Sequence, residues 1–251
     1  MQHDEYRKLA ETEDRMWYFH ALNRRIRHFL ARRLPPGPAS ILDAGCGTGG
    51  LMKTLAVANG DWRLTGIDFM PQACALARSR TAMEVVEGSI TALPFGDGVF
   101  DAVVSADVVC QVSEPGKALR EFARCVRPGG VVLVNVPAYM WLWSYHDDTC
   151  ETQHRYTRPE LVGLFRLAGL EVEFASYANF SVLPLIAMRR KMFPPGNPTS
   201  DVKLYPAWIE GVFRFLAWLE FSWMRHELPV PCGGSVFVVG RKAAGPAGRA
   251  A

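Results

Sequence analysis

No two cysteines in this chain stand in C-x-x-C spacing. Cys46, Cys74, Cys110, Cys125, Cys150 and Cys232 are scattered, which excludes a zinc ribbon and offers no disulfide framework. Unpaired thiols fit a reducing cytoplasm, the expected location. There is no block of five like charges either, and 28 Lys and Arg against 25 Asp and Glu leave a net charge of only +3. Nucleic acid is therefore not an expected partner. The opening residues MQHDEYRKLAETED carry charges where a secretory signal needs an apolar core, so no export is expected. The most membrane-like stretch, Ala207 to Met224, is interrupted by Glu210, Arg214 and Glu220; it should not span a bilayer but could lie on one. No internal repeat or low-complexity run occurs apart from the Ala/Gly tail after Lys242, read as frayed. The remaining composition, 49% hydrophobic and 21% charged over 251 residues, suits one α/β domain with an insertion better than two domains.

Strand and helix patterns alternate along the chain. The first 34 residues read as helical, with Ile26, Phe29 and Leu30 at helical spacing, and Pro35 and Pro36 stop them. A short apolar run from Ser40 to Leu42, a glycine loop and a helix through Leu51 and Leu55 follow. A strand from Leu64 to Ile67 ends at Asp68, and Pro71 opens the next helix. Val85 and Val86 make a third strand and Phe100 to Ser105 a fourth, β-branched as a strand buried on both faces should be. A helix over Pro115 to Val126, the turn Arg127-Pro128-Gly129-Gly130 and the strand Val131 to Val136 come next. Thr157, Pro159 and Glu160 spell a capping box before a helix reaching about Ala168, and Leu170 to Tyr177 alternates as a strand. Ser235 to Arg241 is the last strand. Phe180 to Glu227 stands between them as a mostly helical insertion, interrupted by a loop over Pro194 to Ser200. This order predicts a parallel, doubly wound sheet.

The loop Asp43-Ala44-Gly45-Cys46-Gly47-Thr48-Gly49 lies where a strand hands over to a helix, the place at which open α/β sheets bind ligands. Its glycines permit close approach of backbone and present N–H donors at a helix N-terminus. Asp43 precedes them, and Asp68 ends the next strand 25 residues later, where a carboxylate can accept from both hydroxyls of a ribose. The segments ILDAGCGTG, GIDFM, EGSITALPF, FDAVVSADVV and RPGGVVLVNVPA resemble the class I S-adenosylmethionine-dependent methyltransferases, over Ser40 to about Tyr177 plus the final strand. The later segment from Tyr145 to Arg190 and the N-terminal MWYFHALNRR look like a bacterial subgroup of the same family.

The resemblance implies one methyltransferase domain over 1–251: a Rossmann-like doubly wound sheet of seven strands with an antiparallel last strand, an N-terminal helical lid over 1–35, and a helical insertion or substrate cap over 178–234. It implies S-adenosylmethionine as cofactor, its methionine end on Gly45, Cys46 and Gly47 beside Asp43, its ribose on Asp68, and its adenine between Phe69 and Gly88, Ser89 and Ile90, with Ala106 as a further cofactor-binding residue. Ser89 replaces an acid common in the family. Trp17, Tyr18, Asn23 and Arg24 are lid candidates, Arg24 for the methionine carboxylate. A nicotinamide-dependent oxidoreductase is the competing reading; against it, the loop reads as D-x-G-x-G-x-G rather than G-x-G-x-x-G, and no Tyr-x-x-x-Lys occurs. A non-catalytic S-adenosylmethionine-binding module is a third.

The acceptor is expected beyond the fourth and fifth strands. Gln111 stands where quinone-type relatives carry a histidine and cannot act as a base. Tyr139, His146 and His154 are the candidates for base or substrate contact, with a capping or loop role as the alternative for the histidines. No metal is expected, because the His and Asp of this loop lack a third ligand. The insertion carries Phe180, Leu183, Met188, Met192, Trp208, Phe213, Phe215, Trp218 and Trp223, which at helical spacing predict core packing. The other readings are an apolar acceptor pocket, a dimer face, or peripheral membrane contact helped by Arg189-Arg190-Lys191. The substrate expectation is a small-molecule acceptor, apolar or lipid-like.

Overall fold

The computed structural model describes residues 3–192 and 201–244, so the loop expected over 194–200 and the end of the tail lie outside the described residues. The elements in chain order are α1 (His3–Thr12), α2 (Trp17–Arg33), β1 (Ala39–Ala44), α3 (Gly50–Ala58), β2 (Trp62–Asp68), α4 (Pro71–Thr81), β3 (Glu84–Glu87), β4 (Phe100–Ala106), α5 (Pro115–Cys125), β5 (Val126–Pro137), α6 (Tyr145–Thr149), α7 (Arg158–Leu167), β6 (Leu170–Ala178), α8 (Leu183–Met192), α9 (Ala207–Met224) and β7 (Ser235–Lys242). The seven strands form one sheet in the order β3-β2-β1-β4-β5-β7-β6. All neighbours run parallel except β7, which is antiparallel to both β5 and β6.

Period-two alternation builds the core on both faces of this sheet. Ile41, Ala102, Val104, Val131, Leu133, Phe237 and Val239 point into one cluster with α2, α3 and α4. Their neighbours Leu42, Val103, Val132, Val134, Val236 and Val238 point into the other, against α5 and α7. Strands without a polar face are what this sandwich between two helix layers requires. The capping box at Thr157 forms as expected, with the Glu160 carboxylate accepting from the Thr157 N–H.

Three expectations change. The N-terminal helical stretch is two helices, because a turn over Glu13–Arg15 separates α1 from α2 and lets Glu13 reach the glycine loop. β5 begins at Val126, earlier than the R-P-G-G turn predicted, and its pairing with β4 shifts register there, from Phe100–Val126 to Ala102–Val131. The aromatic side chains of the insertion are mostly not core: Trp208, Phe215, Trp218 and Trp223 are about half or more exposed, while α9 buries Glu210 and Met224. Buried polar contacts help anchor α9. Glu210 accepts from the backbone N–H of Trp17 at 2.8 Å, and Glu220 accepts from those of Asn179 and Phe180 at 2.7 Å. The charges that rule out a spanning helix are thus the docking contacts. A small third cluster of Met16, Trp17 and Val182 with Ile186, Tyr205 and Phe213 holds α8 and α9 over the carboxyl end of the sheet.

Candidate active site

At the end of β1 the chain turns through Gly45, Gly47 and Gly49, all at positive φ. The N–H groups of Gly45 and Cys46 both donate to the Ile67 carbonyl, at 2.8 and 2.9 Å, and that of Gly47 donates to Asp68 Oδ2 at 2.9 Å. These donors therefore fasten the loop to β2 and are not presented to a ligand; the glycines contribute shape. At Gly45, φ is +90° and an added Cβ would lie 2.7 Å from Val108 Cβ and nearer still to its Cγ2. Gly45→Ala is expected to destabilise the protein by about 1–3 kcal/mol through backbone strain and overpacking. Adding Val108→Ala should recover part of that loss in urea denaturation, because it removes the two Cγ atoms struck and leaves only Cβ.

Above the loop lies a cavity of about 880 Å³, at the upper end of the range for small-molecule sites. Asp43, Gly45, Cys46, Gly47, Asp68, Phe69, Gly88, Ser89, Ile90 and Ala106 all line it, as do Trp17, Tyr18 and Asn23 of α2. Asp43 is buried, and its Oδ2 has no hydrogen-bond partner. Burial first, then the charges of Asp68 and Glu13, push its pKa up to about 8. Burial also raises that of Asp68 against the donating N–H groups of Met70 and Gly47. The Phe69 ring is 72% exposed, free to be stacked upon. Ser89 Oγ shares a hydrogen bond with Thr91 Oγ1 at 2.8 Å and accepts from the Thr91 N–H, so it serves its own turn. Arg24 does not line the cavity: it projects toward Arg27 and Arg214 with its guanidinium over the Phe221 ring. Consecutive helical residues lie about 100° apart, so Asn23 facing in turns Arg24 away.

The candidates for a base separate. His146 lines the cavity; its Nδ1 accepts from the Asp201 N–H at 3.0 Å, and burial lowers its pKa to about 4. The neutral ring then carries its proton on Nε2 and is a donor, not a base. His154 sits outside the cavity, edge-on to Tyr156 and 3.9 Å from Glu160. Tyr139 is also outside, stacked on Tyr177 and Trp141, with burial raising its pKa. Sequence reasoning missed Asp107 as a site residue. It lines the cavity at the end of β4 with φ +60°, accepts from Tyr18 Oη at 2.6 Å and Asn135 Nδ2 at 2.8 Å, and burial raises its pKa. An acid at the carboxyl end of a parallel strand is the signal that singled out Asp43 and Asp68, and it marks Asp107 too. Glu13 left no such signal; it accepts from Thr48 Oγ1 and pairs with Arg80, clasping α1 onto the loop. Among the described residues no three His, Cys, Asp or Glu side chains converge as a metal site.

Residues 42–134 match the methyltransferase domain family. An uncharacterised 37.1 kDa protein in transposon TN4556 of Streptomyces fradiae is 38% identical over 163 residues, 60% of this chain and 47% of that one. The 2-methyl-6-phytyl-1,4-hydroquinone methyltransferase of Synechocystis sp. is 29% identical over 200 residues, 75% and 59% of the two chains. The chain thus spans about half to three fifths of the length of these curated relatives. A chain solved in complex with the Haloferax volcanii Trm112 methyltransferase activator shares the fold, with a TM-score of 0.62 at 23% identity over 88% of this chain and 90% of that one. Over residues 42–134 the chain carries the methyltransferase domain of the class I S-adenosylmethionine-dependent family. The glycine loop also fits the spacing expected of a dinucleotide enzyme. Gly50 follows Gly49, so Gly45, Gly47 and Gly50 also satisfy G-x-G-x-x-G, and loop spacing does not separate this methyltransferase from a dinucleotide enzyme. Sheet order does: a dinucleotide fold runs 3-2-1-4-5-6 in parallel, whereas here antiparallel β7 is inserted between β5 and β6.

The residues present fit the cofactor of a methyltransferase. S-adenosylmethionine is cationic at its sulfonium and ammonium, and the unpartnered Asp43 Oδ2 is a buried acceptor waiting for a donor. Each Asp68 oxygen holds one backbone N–H and keeps a lone pair for a ribose hydroxyl. The sulfonium supplies an electrophilic methyl group when bound.

Proposed function

We propose that this methyltransferase moves the methyl group of S-adenosylmethionine onto a small apolar or lipid-like acceptor by in-line displacement. The observation that carries the reading is the continuity of the cavity: it extends from Asp43 and the glycine loop to an apolar wall of Val182, Ile186 and Phe213 beneath α8 and α9. The phytyl-substituted hydroquinone named for the Synechocystis relative is an acceptor of that character. In this reading the cofactor lies on Asp43, Gly45, Cys46, Gly47, Asp68, Phe69, Gly88, Ser89, Ile90 and Ala106, and the acceptor meets Tyr18, Asp107 and His146. Displacement at a methyl carbon demands alignment and exclusion of water before anything else, and orientation can supply about 7–11 kcal/mol of the barrier. The buried Tyr18–Asp107–Asn135 network supports a fixed polar contact for the acceptor's reacting group, and Asp107, the carboxylate of that network, suits a proton acceptor better than His146. The six free thiols fit a reducing cytoplasm.

The test is transfer of labelled methyl from S-adenosylmethionine into organic-extractable material from cell extracts. Label that stays in the aqueous phase would count against an apolar acceptor, and saturable NAD(H) binding without S-adenosylmethionine binding would sink the assignment of donor. Asp68→Ala is expected to weaken cofactor binding by about 1–3 kcal/mol, read by calorimetry, because it removes both the ribose acceptor and the tie to Gly47.

A further inference from the structure

Helix α9 packs Phe213, Leu216, Ala217 and Met224 inward yet leaves a second apolar stripe outside. A helix on a globular protein turns its apolar stripe toward the core and its charges to water. Here Glu210 is buried and Glu220 is bonded to backbone, while Trp208, Val212, Phe215, Trp218, Leu219 and Trp223 are each 46–72% exposed. At about 100° per residue these six, with Gly211 and Ser222 between them, fall on one arc of roughly 140° that contains no charged side chain. Exposed apolar surface concentrated in this way marks a binding face.

We propose that this face docks the protein on an anionic lipid bilayer, with α9 lying in the interface plane. Charge selects that occupant. Arg214 and Arg225 lie along the margin of the arc that faces α2, and Arg24 and Arg27 of α2 continue it; among the described residues none of the four has a carboxylate within ion-pair distance. Arg24 lies over Phe221 with Nη1 buried and Arg214 also donates to the Arg15 carbonyl, so the exposed charge of the margin is that of Arg27, Arg214 and Arg225, a positive edge that suits an anionic surface. Tryptophan at both ends of an uncharged stripe with arginines beside it is the composition of an interfacial helix, and among the described residues no helix is long and apolar enough to cross a membrane. Position adds a purpose. Phe213, on the opposite side of α9, lines the cavity, so one helix separates the bilayer face from the acceptor wall. That purpose rests on the apolar-acceptor reading; the docking does not.

The experiment is co-flotation of the full chain with vesicles of phosphatidylcholine alone or mixed with phosphatidylglycerol, alongside quenching of tryptophan fluorescence by brominated phosphatidylcholine. Flotation with the mixed vesicles, weakened by salt, and quenching are expected. Phe215→Glu/Leu219→Glu should lower partitioning about tenfold or more, and Arg27→Gln/Arg225→Gln should abolish the preference for phosphatidylglycerol. Both variants should bind S-adenosylhomocysteine as the parent does, which separates loss of docking from loss of fold or of the donor site. No flotation with either vesicle would overturn the proposal. So would a dimer in sedimentation that Phe215→Glu/Leu219→Glu dissociates, which would assign the face to a second copy.

Discussion

Asp147→Ala should cost about 3–5 kcal/mol of stability and lower the melting temperature by roughly 6–20 °C for a domain of this size. Asp147 and Arg155 are 1% and 3% exposed at the side chain, with Arg155 Nη1 donating to Asp147 Oδ1 at 2.7 Å, and buried Arg190 stands 3.7 Å from Asp147 Oδ2. The same carboxylate accepts from the Ser144 N–H at 2.9 Å, closing the capping box of α6. Alanine removes the counter-charge for two guanidinium groups that are only 3% and 8% exposed where they line the cavity, and the penalty of the stranded charges exceeds the worth of the pair itself. Arg190 keeps Asp201 at 2.8 Å. Arg155 keeps only backbone carbonyls, those of Ala138 and Tyr139. Asp147→Asn should fall between, since it retains the cap geometry without the charge. Asp147→Leu/Arg155→Met should regain part of the loss, because it leaves no buried guanidinium without a carboxylate, Arg190 keeping Asp201, though the Ser144 N–H and the Ala138 carbonyl lose a partner. A shift below about 1 kcal/mol for alanine in thermal and urea melts would mean that water enters the network.

That network shows why parts of this site could not be read from sequence. Features legible beforehand were local ones. Acids at strand ends located Asp43 and Asp68, the capping box placed α7, and short apolar runs marked all seven strands, six of them within a few residues. The pairs missed are far apart along the chain, as Tyr18 is from Asp107 and Arg190 from Asp147, and nothing in their flanking residues announces the partner. His146 invited reading as a base because histidine titrates near neutrality; the Asp201 N–H, brought 55 positions along the chain onto Nδ1, removes that role. The insertion misled for a related reason. Helical spacing of apolar residues reveals amphipathicity but not which face turns inward, and in α9 the direction is set by the acceptance of backbone N–H groups by Glu210 and Glu220.

Asp43 carries the second large expected effect, and its sign follows from burial. Without cofactor its carboxyl keeps a proton up to about pH 8, yet a cation needs the carboxylate. Binding below pH 8 must therefore expel that proton, and affinity for S-adenosylmethionine should tighten by about tenfold per pH unit toward pH 8 and then level. Calorimetry in two buffers of different ionisation enthalpy would count the proton released. Asp43→Asn should flatten the profile and weaken binding by about 1.5–3 kcal/mol, the worth of a hydrogen bond to a charged group. S-adenosylhomocysteine keeps the ammonium but lacks the sulfonium charge, so an equal slope with it would assign the ammonium to Asp43, and a lost slope the sulfonium. Stability without cofactor runs the opposite way. A carboxyl whose folded pKa is raised favours the folded state most below its unfolded value near 4, and that contribution is lost as pH rises toward 8. The parent should thus lose stability relative to Asp43→Asn across that window, and cofactor should restore it. A flat binding profile in the parent would put the cation against another group and leave Asp43 a buried prop of the glycine loop.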